Sequence, residues 1–499
     1  MSFEYIIVQA GGRGSRMGAL TRNKPKALVT VENLPIIFHL FKKFPDKKYI
    51  IIGDYKADVL EKYLDCFATV DYTVVRSEGT SGTCSGLREA MSLIPYEKRF
   101  MLIWCDVVLS EALEIPHESD LIGISHQFAC RWQYYDGKFC EKTACDSGVA
   151  GVFVFGDKRR LQNVPTSGEF VRWLSENSFQ FTEFDLGASR EFGTADSFGS
   201  SEKRCRPFNR ISVEDGKFYK LPLDELGITL AENEINWYKK AIELGVTNIP
   251  RIYSFSPLCM EYIEGRNVYE LYDLTKEEKS KVLEKIILSL KEMHALEEVC
   301  ADKDSYYKAY IEKTFQRLEK VYKLVPYADK EYIVVNSRKC RNVFFHKDEL
   351  TRRVMSCMPD KFTFIHGDCT FSNIIIDRQN EPVFIDPRGY FGDCRLFGDP
   401  AYDWVKLYYS VFSNYDQFNL GRFSLETEAD GVRVDVSSNG WEELENQFFE
   451  LVGDEISKKQ LMLLLSVVWL SLTTYAWNDY DSVCAAFYLG LYYLEEALQ

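Results

Sequence analysis

The segment "YIIVQAGGRGSRMGALTRNKPKALV" (residues 5–29) decides how the first two hundred residues are read. An apolar run, Tyr5 to Val8, passes directly into a loop carrying Gly11, Gly12 and Gly14 with Arg13, Arg16, Lys24 and Lys26. A continuous apolar run suits a strand buried on both faces of a parallel sheet. Glycines let backbone N–H groups approach an anion closely, and the basic side chains add charge, so the loop suits a polyphosphate. The alternative is a solvated turn with scattered basic residues, since a glycine-rich turn alone is weak evidence.

The downstream order of features favours the first reading. Strand patterns in "KYIIIGD", "DYTVVRS" and "RFMLIWCDVVL" alternate with helix patterns in "LPIIFHLFKKF", "KADVLEKYLDCF" and "SGLREAMSLI". This predicts an α/β unit with a mixed, mainly parallel sheet and helices on both faces, with ligands at the carboxyl ends of the strands. Gly82 and Thr83 open a glycine turn before a helix, suited to a base or ribose. Asp106 ends a buried strand, where an acid suits a magnesium ligand. Residues 136–155 read as a hairpin ending in an apolar strand, and Glu191 in "REFGTADSF" stands at a further strand end.

Residues 1–200 resemble the sugar-1-phosphate nucleotidylyltransferases. The family's glycine/arginine loop and Pro-Lys-x-Leu match Gly11 to Arg16 and Pro25 to Leu28, and its Gly-Thr-x-x-x-Leu-x-x-Ala matches Gly82 to Ala90. Its catalytic aspartate matches Asp106, its Glu-Lys sugar motif Glu141 and Lys142, its Gly-hydrophobic-aromatic strand Gly151 to Phe153, and its closing Asp-x-Gly-Thr is like Glu191 to Thr194. The resemblance implies a Rossmann-like fold that joins an NTP, CTP or UTP, to a phosphomonoester with release of pyrophosphate. It implies Arg16 and Lys26 as catalytic cations, Asp106 and Glu191 as Mg²⁺ ligands, Gly11, Gly12, Gly14, Gly82 and Thr83 at the nucleotide, and Glu141, Lys142 and Gly151 at the acceptor. No general base is needed, because a phosphate is already an anion near neutral pH.

The alternation stops near residues 199–209. "FNRISVEDGKFYKLPL" predicts a hairpin turned at Asp-Gly, "AENEINWYKKAIEL" a helix, "IPRIYSFSPLCMEYIEG" a strand pair, and residues 274–355 and 441–499 helices. In "FIHGDCTFSNIIIDRQNEPVFIDPRG" (364–389), Asp368, Asn373 and Asp386 have the spacing of a kinase catalytic loop and its metal-binding acid. Residues 206–499 resemble the aminoglycoside phosphotransferase and choline kinase type. That resemblance implies a two-lobed α+β domain that uses ATP and Mg²⁺. Asp368 handles the proton of an attacking hydroxyl, Asn373 and Asp386 hold the metal, Lys220 and its helix partner Glu234 grip phosphates, and the backbone at Glu261 and Ile263 reads adenine. Asp399 and Asp403 resemble acids that brace the loop. Trp404, Tyr408 and Tyr409 read as helix core or as a box for a cation.

The domains are placed at 1–202 and 203–499, the latter with a small sheet lobe at 203–270 and a helical lobe at 271–499. The chain has 499 residues, 46% hydrophobic and 27% charged, with a net charge of −15. That charge argues against nucleic acid and anionic membrane as partners and makes a local basic pocket a small-anion site. Fourteen scattered cysteines without CxxC pairs, and no secretory leader pattern, point to reduced thiols in the cytoplasm. The uncharged run 461–477 reads as a buried helical hairpin rather than a membrane span. The expected function is bifunctional: a kinase half makes a sugar phosphate, and a nucleotidylyltransferase half activates it for surface-glycan (capsule or lipopolysaccharide-type) synthesis. Two alternatives remain open: a choline or amino-alcohol kinase fused to a CTP-dependent cytidylyltransferase, and a chain in which one half only binds or regulates. The oligomeric state is left open, a homodimer being one arrangement.

Overall fold

The structure, a computed structural model, describes residues 3–77, 81–118, 120–194 and 209–499. It divides into two compact units: Met1–Glu202 with Trp477–Asp481, and Lys203–Ala476 with Ser482–Gln499. The expected boundary at 202/203 and the end of "REFGTADSF" lie outside the described residues.

In the first unit, strands Tyr5–Gln9, Lys48–Gly53, Asp71–Arg76 and Phe100–Trp104 pair in parallel, with Tyr5–Gln9 between Lys48–Gly53 and Phe100–Trp104. Their apolar runs are buried on both faces, Ile6, Ile7, Val8, Leu102 and Ile103 being fully enclosed. Strand Gly148–Phe155 is buried along its whole length and runs antiparallel between Phe100–Trp104 and Leu121–Ser125. The sheet is therefore mixed, as expected. Helix Ala57–Phe67 turns Leu60, Tyr63 and Leu64 inward, one stripe of an amphipathic surface. The hairpin read over 136–155 is corrected. Asp136 and Gly137 both take positive φ and close a tight turn, so Lys138–Cys140 pairs back onto Gln133–Tyr135 rather than forward onto Gly148–Phe155.

The second unit begins with a four-stranded antiparallel sheet in the order Asn209–Glu214, Lys217–Pro222, Leu258–Glu261, Ile252–Phe255. Asp215 and Gly216 turn the first hairpin with φ of 50° and 69°. Helix Glu225–Leu244 starts at an Asp224 cap and stops at Gly245, which takes φ 78°. Helices Lys276–His294, Pro400–Val411, Lys458–Leu472 and Tyr480–Leu498 supply the larger core. The stretch 274–355 is less helical than its charge pattern suggested. Asn336 and Ser337, both at positive φ, turn a hairpin of Tyr332–Val335 and Arg338–Arg341. The uncharged run around Lys458–Leu472 is buried in this unit, and among the described residues no helix is long and apolar enough to cross a membrane.

Candidate active sites

The carboxyl ends of the parallel strands in the first unit open onto a cavity of about 720 Å³. Of the expected residues, Gly11, Gly12, Arg16, Lys26, Gly82, Thr83, Asp106 and Glu191 line it. Strand Phe100–Trp104 delivers Asp106. The two-residue pairing of Arg190–Glu191 with Val107–Val108, extended by Phe192 N–H to Asp106 O at 2.9 Å, brings in Glu191 from 85 residues away. Lys26 Nζ is ion-paired with Asp106 Oδ2, and Asp106 Oδ1 is buried without a hydrogen-bond partner. Burial, and then the nearby Asp106, push the Glu191 carboxyl above its usual range. Two converging carboxylates with one unsatisfied buried oxygen fit a Mg²⁺ ion, which commonly takes only one or two protein carboxylates and completes its shell with water and phosphate.

The loop at Gly82 and Thr83 is stitched from both sides. The Gln9 amide donates to Thr83 O, Phe170 N–H donates to Thr83 Oγ1 at 2.7 Å, and Cys84 N–H donates to Gly168 O at 2.9 Å. Gly82 sits at φ 85°, and a Cβ there would lie 2.3 Å from Gly168 O, so only glycine fits.

Five residues expected at this site, Gly14, Lys24, Glu141, Lys142 and Gly151, lie off the cavity lining. Gly14, at φ 63°, accepts from Met17 N–H and shapes the turn without lining the cavity. Gly151 lies beneath Trp104, and a Cβ there would fall 2.0 Å from the indole, so the indole rather than the glycine meets the cavity. Glu141 and Lys142 are exposed and outside the lining. Glu141 is tied to Arg131 at 2.5 Å and Arg172 at 2.8 Å, and Arg131 is the residue that reaches the cavity. Lys24 is buried and paired with Asp479 and, at 2.9 Å, with Asp481, a structural ion pair. Trp104, Arg131 and Glu169, which line the cavity, had no motif to announce them.

In the second unit the loop from His366 to Asn373 is fixed from behind. Asp403, fully buried on helix Pro400–Val411, accepts from His366 N–H at 2.8 Å, Gly367 N–H at 2.7 Å and His294 Nε2 at 3.0 Å. His366 Nε2 meets Ile385 O at 3.1 Å, and Asp368 N–H donates to its Nδ1 at 3.3 Å, which assigns a neutral ring. Burial keeps that imidazole below its usual pKa. Asn373 Nδ2 donates to Asp368 Oδ2 at 3.0 Å, and Ile385 N–H to Asn373 O at 2.9 Å, so paired strands Ile374–Asp377 and Pro382–Phe384 hold Asp368, Asn373 and Asp386 together. Asp386 takes φ 54°, an uncommon conformation for a residue with a side chain and one that clusters at functional sites.

Lys220 Nζ lies 2.7 Å from Glu234 and 2.6 Å from Asp386, joining the sheet to the loop that carries Asp386. Burial alone would depress this amine, but Asp386 and Glu234 outweigh it and hold it raised. Lys220, Glu234, Asp368 and Asp386 line a cavity of about 170 Å³. The carboxamide of Asn373 beside Asp368 and the carboxylate of Asp386 form an oxygen donor set that fits Mg²⁺. Glu261 and Ile263 lie outside that lining. The N–H groups of Glu261 and Tyr262 donate to Arg251 O at 2.8 Å and Gly216 O at 3.0 Å. Asp399 caps helix Pro400–Val411; Trp404 and Tyr408 are buried off this cavity, whereas Tyr409 lines it. Sequence reading missed Lys406, 2.9 Å from Asp368 Oδ1, and Lys313, Arg317 and Arg388, all on this cavity.

Residues 6–115 match the MobA-like NTP transferase domain, and residues 222–435 match the phosphotransferase enzyme family. A UTP–glucose-1-phosphate uridylyltransferase of Haloferax volcanii is 29% identical over 111 residues, 21% of this chain and 45% of that protein. The bifunctional protein GlmU of Methanococcus maripaludis is 24% identical over 124 residues, 24% of this chain and 29% of that protein. The chain thus spans less than half the length of these curated relatives. Among solved structures, the inositol-1-phosphate CTP transferase from T. maritima is 16% identical, with a TM-score of 0.34 over 40% of this chain and 92% of that one. The chain carries a nucleotidyltransferase domain of the MobA-like NTP transferase kind followed by a kinase-like domain of the phosphotransferase enzyme family.

Proposed function

We propose that the chain is a bifunctional cytoplasmic enzyme of surface-glycan precursor synthesis. The second unit phosphorylates a hydroxyl of a small sugar-like acceptor with ATP. The first transfers a nucleotidyl group from CTP or UTP onto the resulting phosphate. The observation that carries this reading is that each unit gathers its expected residues: Lys26, Asp106 and Glu191 line one cavity, and Lys220, Asp368 and Asp386 line the other, with Asn373 bonded to Asp368. The product of one reaction is the acceptor of the other. A UTP–glucose-1-phosphate uridylyltransferase among the relatives supports the sugar.

In the kinase unit, Asp368 takes the proton of the attacking hydroxyl, and Lys220 holds the phosphates of the donor. In the transferase unit, Arg16 and Lys26 neutralise charge developing at the α-phosphorus while pyrophosphate leaves. Mg²⁺ held by Asp106 and Glu191, and by Asn373 and Asp386, would supply charge neutralisation and phosphate orientation at the two sites.

The test is phosphorus NMR on the full chain with ATP, a second NTP and a panel of hydroxyl acceptors. Asp106→Asn should stop pyrophosphate release and leave phosphorylation within about twofold, and Asp368→Asn the reverse when the phosphomonoester is supplied, because the two sites share no residue. A folded variant that loses both reactions would end this reading. CDP-choline formed from choline would replace the sugar with an amino alcohol.

A further inference from the structure

The kinase cavity gathers five cations, Lys220, Lys313, Arg317, Arg388 and Lys406, against three carboxylates, Glu234, Asp368 and Asp386. Lys220 is matched by two carboxylates and Lys406 by Asp368. Three further cations line the same cavity: Lys313 and Arg317, one turn apart on helix Lys313–Val321, and Arg388, two residues beyond Asp386. Their partners are neutral. Arg388 donates to the hydroxyls of Tyr402 at 2.6 Å and Tyr390 at 3.0 Å, Arg317 donates to the Ser471 carbonyl, and Lys313 stands over the Tyr402 ring at 5.8 Å. Among the described residues, no carboxylate forms an ion pair with any of the three. Burial, and then the proximity of Arg388, Arg317 and Lys406, depress the Lys313 amine well below its ordinary value. Asp368 on the same cavity offsets part of their charge, but no described carboxylate pairs with any of the three; such an arrangement is costly, and a chain keeps it where a ligand supplies charge.

Their position identifies the ligand. A π-helical turn, Lys308–Glu312, immediately precedes Lys313 and breaks the regular helical register there, a device frequent at functional sites. Lys313 and Arg388 also line an adjoining cavity of about 220 Å³ with Tyr390 and Tyr402. Both cavities are smaller than the roughly 300–1,000 Å³ typical of drug-sized ligands, which suits a compact acceptor.

We propose that the acceptor of the kinase unit carries an oxyanion, a carboxylate or a phosphate, in addition to its reacting hydroxyl, and that Lys313, Arg317 and Arg388 hold that oxyanion. This rests on the phosphotransfer reading above. The acceptor hydroxyl oxygen bonds to the γ-phosphorus of ATP, the bond from that phosphorus to the β–γ bridging oxygen breaks, ADP leaves with the electron pair, and the hydroxyl proton passes to Asp368. The product is a phosphomonoester that keeps its first anionic group. Choline, a cation, is a poor match for this pocket.

The test uses matched acceptors with the full chain and ATP: glucose against glucuronate, glycerol against glycerate and glycerol phosphate, and choline. ADP formation is scored as the part abolished by Asp368→Asn. The anionic member of a pair should be preferred at least 100-fold in kcat/KM, and the carboxylate and phosphate arms decide which oxyanion is taken. Lys313→Met and Arg317→Met should raise KM for the anionic acceptor at least tenfold, leave KM for ATP within twofold, and keep or raise the melting midpoint, because each removes a half-buried cation that no described carboxylate pairs. Lys313→Arg should restore most of the affinity. Asp368-dependent turnover that favours a neutral acceptor or choline would overturn the oxyanion and leave the kinase reading intact, as would variants that move KM for ATP alone. No Asp368-dependent turnover with any acceptor would overturn both.

Discussion

Asp368 is held at both oxygens: Lys406 Nζ lies 2.9 Å from Oδ1 and Asn373 Nδ2 lies 3.0 Å from Oδ2. The carboxylate thus has a fixed plane before any hydroxyl arrives, and the residues that fix it come from helix Pro400–Val411 and from its own loop. Burial opposes the charge on Lys406, but Asp368 outweighs it and holds the amine raised. A catalytic group placed about 1 Å wrong can lose roughly 100-fold in rate.

Lys406→Met should therefore lower kcat for phosphorylation by about 100-fold with a smaller change in acceptor KM, because a positioning contact is lost rather than a binding one. Nucleotidyl transfer by the same preparation should not change. A variant that raises KM while keeping kcat would show that Lys406 binds the acceptor instead.

Gly151→Ala tests the floor of the other cavity. The residue takes φ 77°, and a Cβ would fall 2.0 Å from the Trp104 ring, so the indole must move. We expect a loss of about 1–3 kcal/mol of stability in the first unit, in line with overpacked cores. Pyrophosphate release should fall at least tenfold while ADP formation persists. Wild-type nucleotidyl transfer with the alanine in place would remove Trp104 from the site.

Asp399 makes the second unit sensitive to pH. Burial pushes its carboxyl up to about 6, against the opposing hydrogen bonds from Ala401 N–H and Tyr310. The folded state therefore keeps a proton that the unfolded chain gives up near pH 4. Stability falls as pH rises through the window from about 4 to 6, by about 3 kcal/mol for a shift of about two pH units. Asp416, also pushed up to about 6 by burial, acts with the same sign. Asp399→Asn keeps a capping oxygen and loses the titration, so its melting midpoint relative to wild type should rise between pH 4.5 and pH 7. An offset equal at the two pH values would contradict this.

What was legible in the sequence had a local cause. Buried strands announce themselves as unbroken apolar runs, and Asp368, Asn373 and Asp386 lie close enough along the chain for spacing to reveal them. The misreadings have equally physical sources. Glu141 and Gly151 sit beside the residues that face the cavity, Arg131 and Trp104, and one-dimensional order cannot tell a support from the group it supports. Lys313 and Arg317 lie four residues apart on one helix and Lys406 on another, and nothing in the local sequence ties them together. Only the folding of helices Lys313–Val321 and Pro400–Val411 around the catalytic loop places them on one cavity. The Asp136–Gly137 turn was within reach of the Asp-Gly hairpin rule, but the stronger apolar signal of Gly148–Phe155 masked it.

On the function proposed above, the close approach of Gly82 to Gly168 bears on how the nucleotide preference of the first unit could change. Two backbones in contact leave no slack between them, and Thr83 is fastened on one side by Gln9 and on the other by Phe170. Lengthening or re-routing that loop would tear several fastenings at once. A switch of base is therefore open to exchange of the side chains around a stationary main chain, and closed to drift in the loop itself.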